Sequence, residues 1–141
     1  MALNEGANFA EKQRYFIGSA KIHLKHFDFG VHSTSLTLDT KNIDRLIQVF
    51  KLEGCLRLDL EHHIPAIISN QTLQESLARS AVDGTELHRQ QSPPTLLFPE
   101  DTYLPCLHGK HRIAAAKTLL LPGNTWWTVD LYLDSQLNVT I

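Results

Sequence analysis

Residues 103–133 constrain the fold more than any other part of the chain, because they read as strand, tight turn, helix and strand in one uninterrupted run. Tyr103 to Leu107 is short and apolar, and His108-Gly109-Lys110 breaks that pattern. From His111 to about Leu120 the chain is rich in alanine and leucine, both strong helix formers. Pro122-Gly123 stops the helix. Trp127, Val129, Leu131 and Leu133 then alternate with Trp126, Thr128, Asp130 and Tyr132, the period of a strand with two unlike faces. Such a unit buries its apolar surface only by layering helices on a sheet.

The upstream pattern agrees. Ala20, Ile22 and Leu24 alternate with Lys21, His23 and Lys25, and the phase shifts at Phe27 to Gly30 as at a bend. Ile43, Leu46, Ile47 and Phe50 lie on one face of an amphipathic helix, with Asp39 or Thr40 as N-cap and Gly54 as C-terminal cap. His63 to Ile68 reads as a short buried strand with Pro65 near its start or on an edge. A weaker helix is predicted over Thr72 to Ala81, capped by Asn70, with Leu73 and Leu77 inward. Asp83-Gly84 and Ser92-Pro93-Pro94 bracket a loop long enough to cross a site. Leu137, Val139 and Ile141 alternate like further strand. The order predicts an α/β (α+β) fold, a small mixed sheet with packed helices. Residues 1–15 are expected to be a flexible N-terminus and 16–141 a single domain, possible as the front part of a longer architecture.

Composition narrows the classes. A chain of 141 residues suits one domain, and 43% hydrophobic with 20% charged residues is ordinary globular usage. Thirteen basic and fifteen acidic side chains give a net charge of −2, which argues against a surface built wholly for nucleic acid and leaves room for a local basic patch. Cys55 and Cys106 are too few for a disulfide framework. The start has no basic and apolar leader, and no apolar run approaches the roughly 18 residues that span a bilayer. The expected setting is intracellular (cytoplasm or nucleus), away from membranes, with the Asn138-Val139-Thr140 sequon accidental.

The turn before the last helix carries the chemistry. Helix N-termini present backbone N–H groups and about half a positive charge. Gly109 permits close backbone approach or positive φ, and Lys110, His111 and Arg112 add donors suited to phosphate oxygens. Cations in a first turn oppose the helix dipole by about 0.3–1 kcal/mol each, so an anion among them would resolve the conflict. The plainer alternative is a solvated basic turn in which Lys110 and Arg112 pair with Asp101 or Asp130.

Gly109-Lys110-His111-Arg112-Ile113-Ala114-Ala115-Ala116 resembles the phosphate-binding box of the ParB/sulfiredoxin superfamily, which reads Gly-Glu-Arg-Arg in ParB proteins and Gly-Cys-His-Arg in sulfiredoxins. The resemblance covers roughly residues 18–134. Leu107 to Ala115 and Trp126 to Tyr132 further resemble an uncharacterised fungal family carrying this type of domain. The resemblance implies ATP or another nucleoside triphosphate, with Mg, held by His111, Arg112 and the helix N-terminus. Lys110 stands where sulfiredoxins carry their cysteine and ParB proteins their glutamate, so neither catalysis is expected. Sulfiredoxin-like proteins also use a Lys, a Ser and a Thr of the first helix. Asn42, Arg45 and Val49 occupy those positions, with Lys41 one step away, which makes Arg45 or Lys41 the candidate phosphate contact.

Other constellations are weaker. His62-His63 with Glu61 and Cys55, or His108 and His111 with Cys106, lack the spacing of a metal site, and none is expected. Cys106 should be a buried, inert thiol. Neither a Gly-x-Ser-x-Gly elbow nor a Walker A loop is present. Trp127 fits the core, whereas Trp126 on the opposite face is a candidate base-stacking platform. The expected function is a nucleotide- or phosphate-binding regulatory module for a phosphate-bearing small molecule. The alternatives are a small ATP-dependent phosphotransferase using Glu100, Asp101 or Asp130 as base, and a nucleic-acid or protein interaction module, of which nucleic acid is not favoured.

Overall fold

The computed structural model describes residues 15–30, 40–53, 57–58, 62–89 and 92–134. The expected frayed N-terminus, the end strand from Leu137, and the caps at Asp39 and Gly54 lie outside these residues. The elements are β1 (Phe16–His23), a 3-10 turn (Leu24–His26), β2 (Phe27–Asp28), α1 (Thr40–Glu53), β3 (Ile64–Ile68), α2 (Asn70–Ser80), a second 3-10 turn (Gly84–His88), β4 (Leu104–Pro105), α3 (Lys110–Leu119) and β5 (Trp126–Leu133). This is an α+β fold with small mixed sheets and three helices among the described residues.

β5 is the central strand. It pairs antiparallel with β1 (Ala20 opposite Val129, Ile22 opposite Trp127) and parallel with β3 (Ile64 opposite Val129, Ala66 opposite Leu131). β2 and β4 form a separate parallel pair. The two sheets are joined at the Ala66–Cys106 bridge, and residues 94–96 run beside β1 through Lys21 N to the Pro94 carbonyl (2.8 Å) and Leu96 N to the Lys21 carbonyl (3.0 Å). The loop that sequence placed between Asp83 and Pro94 therefore ends as an added edge on the sheet.

Period-two alternation explains which face is apolar. Ala20, Ile22, Ile64, Ala66, Ile68, Trp127, Val129 and Leu131 all point one way and are essentially inaccessible. Burying a side chain of the Val, Leu or Ile class contributes about 1.5–3 kcal/mol, so this face anchors the domain. α1 and α3 pack against each other. Phe50 of α1 meets Trp127 at 6.0 Å between ring centroids, and the Trp127 indole donates to the His62 carbonyl at 2.7 Å. Ala115 and Ala116 are wholly buried beside Ile113, and their small side chains let α3 sit close to its neighbours.

Two local readings change. Helix α2 begins at Asn70, two residues ahead of the expected start, and its cap is Ser69, whose hydroxyl accepts from Thr72 N at 3.1 Å. The first strand starts earlier than its clearest alternation, at Phe16, with an irregular register at Gly18. Gly18 has φ +132°, and a Cβ there would run into Leu87, so the glycine admits the second 3-10 turn against β1. No helix among the described residues is long and apolar enough to cross a membrane.

Candidate anion-binding site

The turn ahead of α3 is held from both sides. Cys106 N donates to the Asp28 carbonyl at 2.7 Å, and Leu107 N donates to the Pro65 carbonyl at 2.9 Å. Gly109 then adopts φ +101° and ψ 11°, a left-handed conformation that L side chains rarely take. A Cβ at this position would also collide with Ile64 of β3. Both constraints demand glycine, and together they fix where the first turn of α3 emerges. Gly109 accepts the first helical bond from Ile113 N at 3.0 Å and offers no side-chain cap to the turn.

Spacing on α1 supplies the other wall. Asn42, Arg45 and Leu46 stand at i, i+3 and i+4 and therefore share a face near the N-terminus of α3. They enclose, with His108 to Arg112, an open hollow of about 250 Å³. Gly109, Lys110, His111, Arg112 and Arg45 thus line one hollow. Lys41 is exposed and does not line the hollow. Asn42 and His108 belong to it although neither was a primary candidate. Asn42 accepts from the Arg45 guanidinium at 2.8 Å, which orients that side chain.

No acidic side chain lines the hollow among the described residues. Partial burial lowers the Arg112 pKa from its ordinary value, and no carboxylate counters that desolvation. The carboxylates that sequence offered as partners are elsewhere. Asp130 accepts from the Ser19 hydroxyl at 2.7 Å and lies 2.7 Å from Nδ1 of buried His63. Asp101 is exposed and does not line the hollow, and its neighbour Glu100 pairs with Lys25 at 3.2 Å. Arg112 has no salt bridge among the described residues, which is an unusual state for a half-buried cation.

Trp126 is not part of this hollow. It lines a second one, and its ring carries the Arg57 guanidinium 3.9 Å from its centroid and the Lys21 ammonium at 5.0 Å. Its indole N–H donates to Asn124 at 2.9 Å. Its role as a base platform beside the phosphate turn therefore loses its geometric basis. Cys106 is buried, and desolvation pushes its thiol up to about 12, as an inert cysteine requires. Groups of three or more side chains able to hold a metal are absent among the described residues. The Ser19–Asp130–His63 cluster was invisible to motif reading. Its members lie on three strands or strand ends and meet only through the register of β1, β5 and β3.

The fold and hollow define a small α+β domain with a cationic depression at a helix N-terminus. Residues 15–140 match the family described as the N-terminal domain of a protein of unknown function (DUF3723), and the chain belongs to that family. No curated protein and no solved structure matches it.

Proposed function

We propose that this domain is a nucleotide- or phosphate-binding module of ParB/sulfiredoxin type, acting inside the cell on a phosphate-bearing small molecule without the catalysis of those proteins. One observation carries the reading: among the described residues, half-buried Arg112 has no salt bridge and borders a hollow lined by cationic side chains and by no carboxylate. A phosphate entering there would accept from the Arg112 fork and from Arg45, with Lys110 as a point charge. It would also relieve the opposition between the α3 dipole and its basic first turn.

Magnesium would arrive coordinated by the ligand's own phosphates, because the described lining residues offer it no carboxylate. The same lack supports binding over phosphotransfer, since Glu100 and Asp130 are engaged by other side chains and Asp101 does not line the hollow. Calorimetric titration with ATP, CTP and GTP plus magnesium tests the proposal. Binding of at least one nucleotide is expected, weakened about 10- to 100-fold in Arg112→Ala, the loss of a charge-assisted hydrogen bond. Failure of all three to bind at millimolar concentration, or equal binding by the variant, would reject it.

A further inference from the structure

The second hollow is made of different material. It has a volume of about 240 Å³ and lies between the first 3-10 turn, residues 95–98 and the turn into β5. Leu96, Phe98 and Trp126 give it apolar walls. Its polar groups are few, and the hydrogen bonds around them fix which protons they carry.

His26 is only 3% exposed. Its Nδ1 lies 2.9 Å from the Thr102 carbonyl, which can only accept, so Nδ1 holds the proton. In the neutral ring Nε2 then keeps its lone pair. Nε2 has no hydrogen-bond partner among the described residues, and the ring lines the hollow.

His23 is set the opposite way. Its Nδ1 accepts from Lys25 N at 3.1 Å, so Nε2 carries the proton and donates to Thr125 Oγ1 at 2.6 Å. The Thr125 hydroxyl, having accepted, retains its own proton to give. Lys25, the cation on the rim, is paired with Glu100. The Trp126 N–H is taken by Asn124. Among the lining side chains, what remains for a guest is the acceptor His26 Nε2 and the hydroxyls of Thr125 and Thr95, inside apolar walls.

We infer that this hollow is a second binding site, for a small uncharged ring compound that presents an N–H donor beside a carbonyl acceptor, as a cyclic amide does. The N–H of the guest meets His26 Nε2, its carbonyl accepts from Thr125, and its ring packs against Leu96 and Phe98. Charged ligands are disfavoured, because no unpaired charge among the described lining residues would offset their desolvation. The site shares no lining residue with the Gly109 hollow and is independent of the phosphate reading.

The test is an amide-resonance titration of the whole chain with 2-pyridone and, in parallel, N-methyl-2-pyridone, which keeps the ring and carbonyl but lacks the N–H. The parent compound is expected to shift resonances around His26 and Thr125 and to bind about tenfold more tightly than the methylated one, the worth of one hydrogen bond. His26→Phe keeps the ring packing on Phe98 and should abolish that preference. Thr125→Val leaves the His26 bonds intact and should weaken both compounds alike. Absence of shifts at these residues up to tens of millimolar, equal affinity for the two compounds, or a preference that survives His26→Phe would each overturn the inference.

Discussion

The two hollows of this domain teach most when set side by side. The one at Gly109 is lined by cationic side chains from α1 and α3 and, among the described residues, has Leu46 as its one aliphatic wall. The one at His26 is walled by leucine, phenylalanine and tryptophan, and its nearby cations already have partners: Lys25 on Glu100, Arg57 and Lys21 on the Trp126 ring. The cations around the apolar hollow are satisfied locally, whereas Arg112 is half-buried and has no salt bridge among the described residues.

The largest expected effect separates the scaffold of the two regions. Gly109→Ala introduces a Cβ at φ +101° and into Ile64, so chemical denaturation should show a loss of about 2–4 kcal/mol. The change should disturb the charged hollow and leave pyridone-induced shifts at His26 intact. A neutral outcome would mean that the turn at Gly109 is not built as described.

A smaller effect comes from the polar face of the sheet. Thr128 is fully buried, and its hydroxyl lacks a hydrogen-bond partner among the described residues. Thr128→Val keeps the shape and removes that atom, and should raise stability by about 1 kcal/mol in the same assay. Smaller again, Arg45→Ala should weaken nucleotide or phosphate binding roughly two- to fivefold, less than Arg112→Ala, because Arg45 is exposed and its charge is better screened.

The smallest effect is a pH dependence at the apolar hollow. Burial, then Lys25, then His26 lower the His23 pKa from its ordinary value. A base with a depressed native pKa favours the folded state above its unfolded value and withdraws that support as pH falls. Protonation of Nδ1 would also remove the acceptor for Lys25 N. Thermal melts should therefore decline slightly more on acidification below about pH 6.5 than those of His23→Gln.

What the sequence made legible follows from how local each signal is. β5 and α1 were readable because alternation and i, i+3, i+4 spacing are written in consecutive residues. So was the α3 turn, where Gly109 to Arg112 are contiguous. The α1 wall of the hollow was reached only through family resemblance, since nothing in Asn42 to Leu46 itself announces a neighbour more than sixty residues away. Trp126 was sent to the wrong hollow for a related reason: period two gives the face of a strand, not which groups sit at its far end. Ser19, His63 and Asp130 were silent, because only strand register brings them together. Asn70 was read as the cap of α2 where Ser69 serves, because the two are adjacent and both are good cap formers.

The most direct measurement is a crystal structure grown or soaked in phosphate or sulfate. An anion is expected beside Gly109, within hydrogen-bond distance of the Arg112 guanidinium and of the first-turn N–H groups of α3. A hollow left without an anion at high salt, or an Arg112 folded onto a carboxylate, would contradict the claim that this charge is held for a negative guest.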